Sequence, residues 1–259
     1  MDLGIKGRTA LVSGASRGMA HATAQLLARE GVNLVMVARN PERLAWAAAE
    51  IRKETGVAVD TVAVDITTPD GRAKVLAACP EPDILITNAD GPKPGDFRDW
   101  SREDWIAAID ALMLTPIELI KATVDGMMAR KFGRIVNISA RSVKIAQPEL
   151  GLSNASRSGL VGFVAGLARS TVRHNVTINT LLPGIFDSDA QRRHVQGLVE
   201  ITGRPFETIW EERRALNPAG RYGDVSEFAA YCAFLCSAHA GFITGQNLLI
   251  DGGQYPGTY

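Results

Sequence analysis

Short, nearly unbroken apolar runs alternate along the chain with longer amphipathic stretches. The runs are Thr9 to Val12, Asn33 to Ala38, Val57 to Val64, Ile84 to Asn88, Ile135 to Ser139, Thr177 to Leu182 and Asn247 to Ile250. Apolar strands that alternate with helices describe a parallel sheet covered on both faces. The helices are expected over His21 to Glu30, ended by Gly31; from Pro41, with Asn40 as N-cap, to near Gly56; over Pro69 to Ala78; and over Leu152 to Arg173. Ser101 caps a long helical stretch through Arg130 that Pro116 should kink or divide. Two short helices follow, at Ala190 to Ile201 and Pro205 to Leu216. Asp224 and Glu227 then form a capping box for a helix through Ser237. Seven strands joined by crossovers make a doubly wound three-layer α/β/α sheet, with its ligand site at the carboxyl ends of the strands.

Length and composition fit that picture. The 259 residues suit one domain without linkers or repeats, and a 46% hydrophobic share supports a sizeable core. Lys+Arg and Asp+Glu both number 28, so no basic face for nucleic acid is implied, and near neutrality favours self-association. Cys79, Cys232 and Cys236 match neither a disulfide framework nor metal-ligand spacing, and a buried core position is expected for the pair four residues apart. Met1 to Gly7 lacks an apolar h-region, and no run approaches the ~18 apolar residues of a membrane span, so a soluble cytoplasmic protein is expected.

The candidate chemistry starts where the first strand stops, at Val12-Ser13-Gly14-Ala15-Ser16-Arg17-Gly18-Met19-Ala20. A strand turning through glycines into a helix start leaves backbone N–H groups facing outward at the positive end of the helix dipole, a cradle for phosphate. The spacing resembles the T-G-x-x-x-G-x-G loop of the short-chain dehydrogenase/reductase family, with Ser13 for threonine and Ala20 for the third glycine. Other segments carry the same resemblance: Asp65 after the third strand, Asn88-Ala89, Pro183-Gly184 with Ser188, and Gly245-Gln246-Asn247 through Asp251-Gly252-Gly253. It runs from about Lys6 to Gly253 and implies a Rossmann-type dinucleotide domain with a substrate lid at about 185–222. The overall pattern is similar to 3-oxoacyl-carrier-protein reductases, which implies carbonyl reduction, with a 3-oxoacyl compound as one candidate substrate.

On that resemblance, Gly14, Ser16, Arg17, Gly18, Met19, Arg39, Asp65, Ile66, Asn88, Ala89, Arg157, Pro183, Gly184 and Ile185 are the expected cofactor-binding residues. An acidic residue ending the second strand would favour NAD. Here Arg39 stands in its place with Arg17 in the glycine loop, and two guanidiniums suit the 2′-phosphate of NADP.

The catalytic positions depart from the family's Asn-Ser-Tyr-Lys pattern. Leu152-Ser153-Asn154-Ala155-Ser156-Arg157 puts Ser153 at the tyrosine and Arg157 at the lysine, Ala140 beside Ser139 at the serine, and Leu112 at the asparagine. The only tyrosines, Tyr222, Tyr231, Tyr255 and Tyr259, lie far beyond this helix in the sequence. A serine hydroxyl is too weak an acid to replace a tuned phenol, and arginine is excluded from a proton relay by its pKa. Lys144, on the loop after the fifth strand, is the candidate acid if burial lowers its pKa, with Ser142 or Ser153 positioning the substrate oxygen. Two further readings stay open: a cofactor-bound regulatory or scaffold protein without hydride transfer, and a non-redox lyase or isomerase.

Asp90 is expected either to face the cofactor or to cap the Gly91-Pro92 turn. The four histidines are expected at the surface, and Glu211-Glu212-Arg213-Arg214 reads as a solvated face. Gly159, Gly162 and Gly166 on one helix permit close approach of another helix, and relatives commonly pair there; a homotetramer is expected.

Overall fold

The computed structural model describes residues 1–258. All seven runs are strands of one parallel sheet: β1 (Thr9–Ser13), β2 (Asn33–Ala38), β3 (Val59–Ala63), β4 (Ile84–Thr87), β5 (Gly133–Ile138), β6 (Val176–Pro183) and β7 (Asn247–Ile250), in the order β3-β2-β1-β4-β5-β6-β7. The order reverses between β1 and β4, where Val12 pairs with Met36 on one side and Ile86 on the other. Two crossovers leave that point in opposite directions, opening a crevice at the carboxyl ends.

The unbroken hydrophobicity follows from a core on each side of the sheet. Ala10 and Val12 pack with Leu27 and Phe228 on one face, while Leu11 between them packs with Leu119, Val164 and Ile178 on the other. Each such side chain contributes on the order of 1.5–3 kcal/mol by leaving water. The flanking helices are α1 (Gly18–Arg29), α2 (Pro41–Thr55), α3 (Pro69–Ala78), α4 (Arg102–Ile109), α5 (Thr115–Ala129), α6 (Gly151–Thr171), α7 (Asp189–Thr202), α8 (Phe206–Ala215) and α9 (Val225–Cys236). Their starts are written in the sequence: Asn40 Oδ1 accepts from the Arg43 amide at 2.8 Å, and the Ser101/Asp104 and Asp224/Glu227 pairs close reciprocal capping boxes.

Pro116 divides its helix as expected, in a particular way. A π-turn at Asp110–Leu114 separates α4 from α5 and leaves the proline in the first turn of α5, where its missing N–H costs nothing. Other boundaries move by one to three residues, and α1 begins at Gly18 itself. Two single-turn 3₁₀ segments, Arg141–Val143 and Pro148–Leu150, carry no pattern by which the sequence announces them. Cys79, Cys232 and Cys236 are buried and free. Among the described residues no helix is long and apolar enough to cross a membrane.

Candidate functional site

The glycine turn after β1 is shaped by contact with the end of β4. Gly14 has φ +66°, and a Cβ there would lie 2.4 Å from Asn88 Nδ2, so the position rejects any side chain on two grounds. Ser13 Oγ accepts from the Asn88 amide at 2.7 Å and donates to the Asn88 carbonyl at 2.9 Å, fixing the Asn88-Ala89 corner to the turn. Gly18, φ +64°, opens α1 with free space where its Cβ would be. Ala20, in place of a third glycine, is 1% exposed within the core, so its methyl is accommodated.

The remaining expected cofactor residues gather on the same edge. Ser16, Arg17 and Met19 are half-buried along the turn. Ile66 and Ile185 are buried, and Gly184 comes so close to Asp251 that a Cβ would fall 2.7 Å from its Cα. Burial alone would raise the Asp65 carboxyl, but the hydroxyl and amide of Thr67 donate to it and hold it below the usual carboxylate range.

Both candidate phosphate-binding arginines reach carboxylates. Arg39 pairs with Asp90, which also accepts from Arg193 at 2.8 Å, and Arg17 Nη1 donates to Asp189 at 2.9 Å. Asp90 thus faces two guanidiniums across the crevice. The ion pairs tie α7 to the glycine turn and to the end of β2. They are solvent-accessible, with the Arg39 side chain 63% exposed, so each contributes at most about 1 kcal/mol and exchanges readily for another anion.

At the catalytic positions, Arg157 Nε donates to Ser153 Oγ at 3.0 Å and Arg157 Nη1 reaches the Ile138 carbonyl at 3.3 Å. Ser153 is 7% exposed. Burial pushes the Arg157 guanidinium down to about 10, which leaves it cationic at neutral pH. A small cleft beside it is lined by Asn88, Thr115, Leu160 and by Leu112 of the π-turn. Ser142 Oγ is buried without a hydrogen-bond partner, as is Ser139 Oγ. Lys144 Nζ sits 5.4 Å from the centre of the Tyr255 ring. Tyrosines remote in sequence therefore do return to this edge, Tyr255 beside Lys144 and Tyr222 beside Arg213.

Expectations for the histidines and for the run 211–214 are corrected. A surface position holds for His239 but not for His21, whose half-buried Nδ1 lies 3.1 Å from the Ala15 carbonyl, nor for His194. His194 Nε2 is buried without a partner, and burial, reinforced by Arg213 and Arg141, pushes the imidazole down to about 4. The run 211–214 is not uniformly solvated: Arg214 pairs with Glu211 and Glu212 with Arg204, while Arg213 turns inward and buries its Nε. Arg141, on the loop expected beside the nicotinamide but given no role by the sequence, is 8% exposed on the turn after β5. Its inward turn depends on the unannounced 3₁₀ segment, and a charged run gives no local sign of which residue will face in.

Comparison with known proteins follows the same lines. A family model described as enoyl-(acyl carrier protein) reductase matches residues 14–254. The chain is 31% identical to the 3-oxoacyl-[acyl-carrier-protein] reductase FabG of Vibrio cholerae, over 98% of this chain and 99% of that one. It is 34% identical to the gluconate 5-dehydrogenase of Gluconobacter oxydans, over 96% and 95% of the two chains. Among solved structures, the L-sorbose reductase of Gluconobacter frateurii complexed with NADPH and L-sorbose superposes with a TM-score of 0.91 at 28% identity, covering 99% of this chain and 100% of that one.

Proposed function

The chain belongs to the short-chain dehydrogenase/reductase family, and on that premise we propose that it is an NADP-dependent oxidoreductase reducing the carbonyl of a small molecule with a non-standard proton donor. The observation that carries the cofactor reading is the pair Arg17 and Arg39 flanking the Gly14 turn, each holding an exchangeable carboxylate. NADPH bound by the similar sorbose reductase supports it. In this reading Arg17 and Arg39 would hold the 2′-phosphate in place of Asp189 and Asp90, and the N–H groups opening α1 would receive the pyrophosphate. Asp65 and Ile66 would border the adenine, Asn88 and Ala89 the adjoining ribose, and Pro183, Gly184 and Ile185 the nicotinamide.

When bound, the reduced nicotinamide would supply a hydride to the carbonyl carbon, and the chain or solvent must then give the oxygen one proton. Arg157 keeps a positive charge by the nicotinamide ribose and orients Ser153, which hydrogen-bonds the substrate oxygen. Lys144 delivers the proton, with Ser142 as a second positioning hydroxyl; Lys144 ends the 3₁₀ turn that follows β5. The test is loss of the reduced-nicotinamide absorbance with carbonyl substrates in the wild-type protein and in Lys144→Met. A retained rate in the variant removes Lys144 from the mechanism.

A cofactor-bound protein without hydride transfer is the second reading, favoured by the absence of tyrosine and lysine at positions 153 and 157. Assembly as a homotetramer is supported by α6: Gly162 and Gly166 face open space, with Phe163 of α6 36% and Leu114 of the π-turn 40% exposed, whereas Gly159 packs on Met113 of its own chain.

A further inference from the structure

One group of side chains serves no part of the dinucleotide cradle. Arg141 follows β5, Gln191 and His194 lie three residues apart on α7, and Arg213 lies on α8. Arg141, His194 and Arg213, from three different elements, lie close enough to feel one another's charge, and Gln191 buries its Nε2 one turn before His194 on α7. Arg141 is more than nine-tenths buried and enters no ion pair among the described residues. Buried atoms without partners include Gln191 Nε2, His194 Nε2, Arg213 Nε and Ser142 Oγ. Asp251 and Glu149 are the nearest acidic influences on these arginines, yet neither makes an ion pair with them. Arg213 is held by Tyr222, whose hydroxyl donates to the Trp210 carbonyl at 3.0 Å and whose ring stacks on Trp210 at 4.0 Å.

Burying a guanidinium without a counter-charge is costly, and buried donors are almost always satisfied. Here several unsatisfied donors and two cations stand without a paired carboxylate, and the Tyr222 hydroxyl is the acceptor that Arg213 has. An oxyanion resolves the mismatch, because guanidinium forks, an amide N–H, an imidazole N–H and a hydroxyl are the donor set that carboxylates and phosphates accept from. Neutral His194 fits as a donor rather than a competing positive charge.

We propose that Arg141, Gln191, His194 and Arg213 form an oxyanion pocket that selects substrates carrying a carboxylate or phosphate group. The reading of the site as a carbonyl-reducing centre determines only what then happens to the bound molecule. If both hold, the substrate is an acidic carbonyl compound, anchored by its anionic end with its carbonyl at the edge of β5.

The test is calorimetric titration of the NADPH-loaded protein with 4-oxopentanoate and 2-oxobutanoate, with their uncharged amides, and with inorganic phosphate. At least one anion should bind tenfold or more tightly than the matched amide. Arg213→Gln and Arg141→Gln should each weaken anion binding about 10- to 100-fold, while NADPH binding stays as in the wild type. Arg213→Lys should recover part of the loss. Tighter binding of phosphate than of both oxo acids assigns a phosphoryl group, and the reverse order a carboxylate. Equal binding of acids and amides, or full anion affinity in Arg213→Gln, overturns the pocket. The acid-against-amide comparison on the wild type decides the matter even if Arg141→Gln does not fold. Anions that bind but are never reduced leave the pocket standing and remove the reductase reading; neutral carbonyls reduced without preference for acids do the opposite.

Discussion

Arg157 donates its Nε hydrogen to the Ser153 hydroxyl at 3.0 Å, one helical turn away on α6, so the two residues at the family's lysine and tyrosine positions form a pair of their own. The pair positions a hydroxyl but supplies no acid that titrates near neutrality. Restoring the phenol and the ammonium together, in Ser153→Tyr with Arg157→Lys, is expected to raise carbonyl reduction by about 10²- to 10⁴-fold, the range of general acid catalysis. Steady-state absorbance of the reduced nicotinamide checks this. Unchanged rates would mean that the wild-type donor is already effective.

Arg39 shares Asp90 with Arg193, and in the proposed reading the 2′-phosphate of NADP would compete for the first of these guanidiniums. In Arg39→Asp the preference for NADPH over NADH, measured as a ratio of Kd values, should fall by roughly 10-fold or more, the value of a charge-assisted hydrogen bond. Asp90→Asn should instead tighten NADPH binding a few-fold, because no existing pair has to be broken.

Gly14→Ala places a methyl against Asn88 and forces a residue with a Cβ into the left-handed region. The left-handed conformation alone costs roughly 1–2 kcal/mol, and the collision adds to it. Thermal unfolding should show a lowered Tm, and calorimetry weakened NADPH uptake. A variant of wild-type stability and affinity would show that the turn relaxes easily.

His194 makes stability depend on pH. Its folded pKa of about 4 lies below the ordinary 6.5, so the unfolded chain binds the proton more tightly. The contribution is complete above pH 6.5 and is lost as pH falls toward 4. Urea unfolding at pH 7 and pH 4.5 should therefore show a loss in the wild type exceeding that in His194→Asn by about 2–3 kcal/mol. Equal losses would place the imidazole in solvent.

The sheet was legible because both of its faces are covered, which makes each strand an unbroken apolar run, and because Asn40, Ser101 and Asp224 announce helix starts by their chemistry. The turn after β1 was legible for a related reason: its left-handed backbone and close approach to Asn88 need glycines at fixed positions, and Gly14 and Gly18 occupy them. The pocket beneath α7 and α8 was not. Arg213 is surrounded in sequence by residues that do form surface ion pairs, and only the orientation of α8 separates it from them. Arg141 is buried by a single 3₁₀ turn, whose formation depends on tertiary packing rather than on any residue in it. Tyr222 and Tyr255 reach the site through the long return of the chain after β6, a relationship between distant segments that local pattern does not encode.

The central claim, hydride delivery from bound NADPH to a carbonyl without the family's usual acid, is tested most directly by a single-turnover measurement. Protein loaded with one equivalent of NADPH is mixed with excess oxo acid, and nicotinamide absorbance and product alcohol are followed together. Stoichiometric loss of absorbance with one alcohol formed per NADPH consumed is the predicted result. Tight NADPH binding with stable absorbance across acidic and neutral carbonyls alike would contradict it.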